Sequence, residues 1–423
     1  MSNLAAQLTS RILDNTTKVN NYLQAHELPD LSFDTDVPPT VQQDDDFTVP
    51  RDAAVEAAEE LLALLGGSTR AIFTQKITDL ANLQAICRFD IATALPEEPK
   101  SSTYDELATS TGLPEPDVRR IVRGSITNHV FKEERSGEVS HTAASRFLAN
   151  NKLVRQWIEM TATETMPGAL NMVNAMSKWP ASGEPNEAGW NIAYNTTDIC
   201  WEYLPKVPER AQVFADAMSV FTAGSAYGPE ALLEYVDKNK LHQGTIVDIG
   251  GSHGSVSIPI IRQHQDLRCI VQDLPAVIEV AEKNVQGDIK DRVEFMHHDF
   301  FTEQPVKNAE IYLMRWILHD WSDKYASKIL KALVPAMKKG ARLLIHEYII
   351  PEPGKGSATS QLSYRWMDTL IKGLCNGKER DEQDWRALFA AVDSRFVVRA
   401  LYQSDLSKLG IVDVEWCPEE SQK

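Results

Sequence analysis

Apolar residues recur near the start of the chain as Leu4, Leu8, Ile12, Val19 and Leu23, intervals that predict an amphipathic helix over residues 4–25. Such a helix is stable only when its apolar stripe docks on something, and a second chain would serve. The Pro- and Asp-rich run LPDLSFDTDVPPTVQQDDDFTVP then predicts a linker up to about residue 50. From residue 51 to about 148 the helical period returns, in AAVEAAEELLALL, FTQKITDLANLQAICRFDIATAL, TYDELATSTGL and EPDVRRIVRGSI. VFKEERSGEVSHT follows as two extended runs joined at Ser136-Gly137, which predicts a hairpin. Three helices and a hairpin outline a winged helix.

Residues 151–243 are again helical in pattern, most clearly in WEYLPKVPERAQVFADAMSVF. After them the rhythm changes. TIVDIG, RCIVQD, RVEFMHH, EIYLMR and ARLLIHEYII are strand-like, and helical stretches such as AVIEVAEKN and DKYASKILKALVPAM lie between them. Alternation at this spacing predicts a mainly parallel sheet covered on both faces, with its ligand outside the carboxyl ends of the strands.

Composition narrows the function. The chain has 423 residues, 43% of them hydrophobic, enough for more than one core. Acidic residues outnumber basic ones by 60 to 43, which disfavours polyanion binding. Within residues 101–150, Asp105, Glu106, Glu115, Asp117, Glu133, Glu134 and Glu138 face six basic side chains, so the winged-helix outline lacks the cationic face that DNA requires. The arginines Arg119, Arg120 and Arg123 then fit a solvated or interface face of one helix. Cys87, Cys200, Cys269, Cys375 and Cys417 form no CxxC pair, and no apolar run approaches the roughly 20 residues of a membrane span. A reduced, cytoplasmic protein is expected. His253, His297, His298 and His346 show no HxH or HExxH spacing, so no metal site is expected.

The first strand of the second half ends in VDIGGSHGS, where Gly250, Gly251 and Gly254 lead into a helix and let backbone approach a ligand. The loop lacks the G-x-G-x-x-G of a dinucleotide site and the GK[ST] of a phosphate loop. Asp273 ends the next strand, where an acid accepts hydrogen bonds from a ribose diol. Asp299 and Phe300 follow the third, an acid for an amino group and a ring to pack on a flat base. Together these features describe an adenosine ligand without a diphosphate, and S-adenosylmethionine is the natural candidate.

The ordered series VDIGGSHG, VQDLP, HHDFF, RWILHDWSD, HEYIIPEPG and GKERDEQDW resembles that of the metal-independent O-methyltransferases of the plant caffeate and flavonoid type and their fungal relatives, over about residues 60–420. The resemblance implies a Rossmann-like catalytic domain with a mainly parallel seven-stranded sheet over 166–423. It also implies a winged-helix dimerisation domain over 51–165, after an N-terminal helix and linker over 1–50, and hence a homodimer. It assigns Gly250, Gly251, Asp273 and Leu274 to the methionine and ribose portions of S-adenosylmethionine and Asp299 and Phe300 to its adenine. Arg315 stands where the family usually has lysine. His319 corresponds to the general base, flanked by Glu347 and Glu379. GGSHG, Arg315 and the long N-terminal extension depart from the plant pattern, and the extension suggests a fungal member.

Methyl transfer from a sulfonium is an in-line displacement in which the attacking oxygen also loses a proton. An imidazole, with an ordinary pKa near 6.5, can take that proton from a phenol of pKa about 10 if a carboxylate holds its other nitrogen. Trp316 and Trp321 would exclude water, and Asp320 and Asp323 fit acids of a first helical turn. Trp201, Tyr203, Trp366, Met367 and Leu370 are candidate substrate contacts. The expected activity is O-methylation of a phenolic or enolic secondary metabolite. The alternative is a cofactor-bound relative that guides dehydration or pericyclic cyclisation without methyl transfer, and a non-catalytic scaffold ranks last because His319, Glu347 and Glu379 are all present.

Overall fold

The computed structural model describes residues 3–34, 41, 44–73, 77–97, 100–220, 227–284, 289–352, 354–355, 357–404 and 406–418. Parts of the expected linker (35–40, 42–43) and residues 74–76 of an expected helix lie outside them. The chain divides into two compact units, one of residues 1–163 with 209–217 and 356–362, the other of residues 164–208, 218–355 and 363–423.

In the first unit the helix Leu4–Ala25 starts at Asn3, whose side chain accepts from the Ala5 N–H, and buries Leu8, Val19 and Leu23. A second helix, Asp45–Phe73, begins inside the expected linker rather than after it. Asp45 and Asp46 suit a helix N-terminus, and Pro50 inside the helix forfeits only one backbone bond near its start. Helices Ile77–Arg88, Ile91–Ala94, Tyr104–Thr111 and Glu115–Ile126 precede the hairpin of β2 (Phe131–Arg135) and β3 (Glu138–His141), which turns through Gly137 at φ +86°. A short strand β1 (Ser102–Thr103), not foreseen from the sequence, completes an antiparallel sheet of order β1-β3-β2. Ile86, Leu107, Val118, Val122, Phe131 and Val139 form the core beneath it. Arg119, Arg120 and Arg123 each meet a carboxylate, of Glu115, Asp117 and Glu133 respectively.

The second unit is built on a seven-stranded sheet: β4 (Gly244–Ile249), β5 (Leu267–Asp273), β6 (Val293–His297), β7 (Ile311–Arg315), β8 (Arg342–Glu347), β11 (Phe396–Gln403) and β12 (Gly410–Trp416), in the order β11-β12-β8-β7-β4-β5-β6. The five strands β4 to β8 run parallel, and β12 lies antiparallel between β8 and β11. Strands buried on both faces alternate between two cores. Val247, Ile249, Tyr312, Met314, Leu343 and Ile345 face helices Asp323–Leu333 and Glu382–Val392; Ile246, Leu313 and Leu344 face helices Glu230–Lys238 and Ser257–Gln263. The expected long helix in WEYLPKVPERAQVFADAMSVF is broken at its prolines into Cys200–Tyr203, a 3-10 turn Leu204–Lys206, and Pro208–Met218. ARLLIHEYII is likewise interrupted: β8 stops at Glu347 and a two-residue strand β9 (Ile349–Ile350) pairs in parallel with β10 (Arg380–Asp381).

Candidate active site

From β4 the chain winds outward through β5 and β6, then returns to β7 on the other side of β4. That reversal opens a crevice at the carboxyl ends of β4 and β7. The glycine loop leaves β4, and the segment bearing His319 leaves β7.

Gly250 and Gly254 adopt φ of +70° and +71°, and Ser252, with a side chain, +52°. A Cβ on Gly250 would lie 2.3 Å from Ile317 Cδ1 and 4.0 Å from Phe300 Cε1, so at this point the glycine loop touches both the ring after β6 and the histidine segment. Gly250 and Gly251 donate to Gln272 O, and Ser252 N–H donates to Asp273 Oδ2 at 2.9 Å. Asp273 Oδ1 accepts from Leu274 N–H at 2.8 Å. Burial raises the pKa of Asp273 and these two N–H groups oppose it. A carboxylate fixed by one N–H on each oxygen still has an acceptor site on both, which suits the two hydroxyls of a ribose. The donor set therefore fits an adenosyl group. Asp299 is exposed, with Oδ1 accepting from Phe301 N–H, and Leu274 is 52% exposed.

Arg315 ends β7 on the same sheet face as Leu313 and donates to Tyr227 O. Burial lowers its pKa to about 10, against the pull of Asp248. Asp248, fully buried, accepts from Ser257 Oγ at 2.5 Å, and burial raises its pKa to about 6.

Beyond Arg315 the chain turns through Trp316, a non-glycine residue at φ +56°, into a 3-10 turn over Leu318–Asp320. That conformation costs on the order of 1–3 kcal/mol. Glu347 supports it: at the end of β8, on the face of Leu343 and Ile345, its Oε1 accepts from Ile317 N–H at 2.9 Å and Leu318 N–H at 2.7 Å. These two bonds hold the turn in that conformation, while burial raises the pKa of Glu347. Glu347 thus bonds the backbone beside the histidine, not the ring as expected.

His319 is 6% exposed and its Nδ1 lies 2.8 Å from Glu379 Oε1; Glu379 is 2% exposed. Its Nε2 lies 3.4 Å from Asp320 Oδ1. Burial alone would lower the pKa of His319, but Asp320, Glu379 and Glu347 together push it up to about 9. Burial raises that of Asp320 to about 7, which His319 resists. Asp320 is therefore part of the buried cluster rather than a helix acid, because the helix starts three residues later, at Asp323. Sequence reasoning missed this; adjacency to His319 was the one available signal.

Trp316 packs on His319 with centroids 4.7 Å apart and meets Tyr348 edge-on at 5.2 Å. Tyr348 is buried, contacts Tyr364, and shares a 2.8 Å hydroxyl contact with Tyr227. None of these tyrosines was singled out in the sequence. Trp321 is buried as expected, whereas Trp316, expected to be buried as well, is partly exposed. Of the candidate substrate contacts, Trp201 packs against the main core and Tyr203 edges onto Trp190 at 5.2 Å; Trp366, Met367 and Leu370 share the helix Ala358–Cys375, with Trp366 40% exposed.

A groove of about 450 Å³ opens at the opposite, amino edge of the sheet. Several of its charges are already engaged: Arg292 with three carbonyls, Lys307 with Glu303, Glu310 with Lys338. Among the described residues no group of three or more His, Cys, Asp or Glu side chains is set to hold a metal, and no helix is long and apolar enough to cross a membrane.

A sequence profile described as the O-methyltransferase domain matches residues 176–393. The chain is 37% identical to O-methyltransferase pyvH of Aspergillus violaceofuscus over 98% of its own length and 99% of that protein. It is 35% identical to the grayanic acid biosynthesis cluster O-methyltransferase of Cladonia grayi, over 99% and 89%. The structure of LepI in complex with S-adenosylmethionine superposes with a TM-score of 0.75 at 21% identity, over 97% of this chain and 100% of that one, a likeness of fold. Profile and relatives together establish that the chain belongs to the S-adenosylmethionine-dependent O-methyltransferase family, in its fungal secondary-metabolism branch.

Proposed function

We propose that the protein methylates a phenolic or enolic hydroxyl of a small secondary metabolite, with His319 as general base. The observation that carries this is the buried Nδ1–Glu379 contact of 2.8 Å on a turn whose Ile317 touches the glycine loop at Gly250. S-adenosylmethionine, when bound, supplies an electrophilic methyl. Asp273 suits its ribose, and Gly250, Gly251, Leu274, Asp299, Phe300 and Arg315 are its remaining candidate contacts. Glu379 fixes the ring and favours its cation, and Nε2, 3.4 Å from Asp320 Oδ1, is the nitrogen that accepts the hydroxyl proton. With a pKa raised to about 9, His319 is close to a phenol's value of about 10, so proton transfer between them is nearly balanced. Trp316, Trp321 and Tyr348 keep the site dry while opposite charges are neutralised.

A cytoplasmic location is supported by the five free cysteines. A homodimer formed through residues 1–165 is supported by exposed Leu4, Leu13, Leu62 and Leu65 on the first two helices; sedimentation at two protein concentrations tests it.

The activity is tested by incubating the enzyme with methyl-labelled cofactor and a panel of phenols and pyridones. Label in the product with release of S-adenosylhomocysteine is expected. A rearranged, unlabelled product would overturn methyl transfer in favour of dehydration or cyclisation.

A further inference from the structure

Arg380 is fully buried, although it carries an obligate positive charge and lies in the loop that delivers Glu379. Its guanidinium makes four hydrogen bonds, all to one small region. Nη1 donates to Leu318 O at 2.8 Å and Lys378 O at 3.2 Å, Nη2 to Trp321 O at 2.8 Å, and Nε to Asp323 Oδ1 at 2.9 Å, with the group lying over the Trp385 ring at 5.2 Å. Leu318 and Trp321 bracket His319 and Asp320. Lys378 N–H donates to the carbonyl of His319 itself at 2.8 Å, and Gly377 passes so close that a Cβ there would lie 2.3 Å from that carbonyl. Glu347 holds the N–H side of the turn and the 377–380 segment its carbonyl side.

We propose that Arg380 is a positioning residue for proton removal: its planar fork fixes the turn against the same segment that carries Glu379, and so sets the Nδ1–Oε1 distance and the aim of Nε2. Adjacency in sequence makes the carboxylate and the guanidinium move as one piece. Lysine would keep the charge but offers a single point of donors in place of the fork. The inference rests on His319 being the base.

The test is Arg380→Lys, measured for kcat, KM, cofactor affinity and the pH profile of kcat. The expected result is a fall in kcat of about 100-fold, the size produced by a roughly 1 Å misplacement near the reacting atoms, with cofactor affinity and KM retained. The limb of the profile assigned to His319 should also move to lower pH, as the ring loses its hold on Glu379 while Asp320 and Glu347 remain. A purely structural role would lower the melting temperature and leave that limb in place. If Arg380→Lys does not fold, Asp323→Ala decides the matter: the Asp323 side chain is 52% exposed, and its removal frees Nε while leaving the guanidinium in its slot. It should show the same shift at smaller size. Wild-type kcat and profile in a folded variant of either kind, or a loss confined to cofactor affinity, overturns the proposal. His319→Ala separates this from the underlying reading: if that variant keeps the parent's turnover, the base assignment fails; if its turnover falls by about 10²–10⁴-fold while Arg380→Lys is unaffected, only the role of Arg380 fails.

Discussion

Two loops leave neighbouring parallel strands a few ångströms apart and solve opposite problems. The one after β4 is glycine-rich, with Ser252 and His253 exposed, and is tied by Gln272 O and Asp273. The one after β7 contains no glycine, buries Leu318, His319 and Trp321, and forces Trp316 into a left-handed conformation that Glu347 holds. A cofactor must enter and leave at each turnover, so its loop stays reachable. A base must hold one direction in a dry setting, so its loop is bonded on every side.

The largest effect that would test this contrast is His319→Ala. Transfer should fall by about 10²–10⁴-fold with cofactor affinity unchanged, as read by single-turnover assay and calorimetry. A parallel loss of affinity would mean that the two loops do not divide the work. Glu347→Ala comes next: it strips two N–H groups of a charged partner in a buried place, and urea denaturation should show a loss of about 3 kcal/mol or more. A variant as stable as the parent would show that the strained turn needs no clamp. Gly250→Ala should be milder in stability, about 1–2 kcal/mol for the left-handed backbone, but should weaken cofactor binding, because its Cβ collides with Ile317. The pH response completes the set. The folded pKa of His319 is raised above its unfolded value near 6.5, so the stability it adds is complete below about pH 6.5 and is lost as pH rises through about 9. Over the same interval kcat/KM should climb as the neutral ring appears, and an equal climb in Glu379→Gln would remove Glu379 from the cause.

Much of this was legible in the sequence, for uneven reasons. β4, β5, β7 and β8 stood out because strands covered on both faces are largely apolar, whereas β6 lies at the sheet edge with Glu294 and His297 exposed. β11 and β12 did not: Arg399 and an irregular register between Val398 and Ala400 break the alternation in one, and Asp413 sits buried inside the other, bonded to Arg342 and Tyr235. The glycine loop, Asp273 and His319 announced themselves by residue type and place. What Glu347 and Asp320 bond to depends on which way a carboxylate points once its strand or turn has formed, and no spacing rule carries that information.

The two-residue pairing of β9 with β10 has an evolutionary consequence. It pins Glu347 and Glu379 to the ends of one short seam, and the helix spliced between them, Ala358–Cys375, buries Leu370, Ile371, Leu374 and Cys375 and returns to the seam through Asp368 Oδ1, which accepts from Glu379 N–H at 3.0 Å. Divergence that admits differently shaped acceptors is therefore confined to the outer face of this helix, where Trp366 is exposed, because changes at Asp368 would reach the proton-handling machinery.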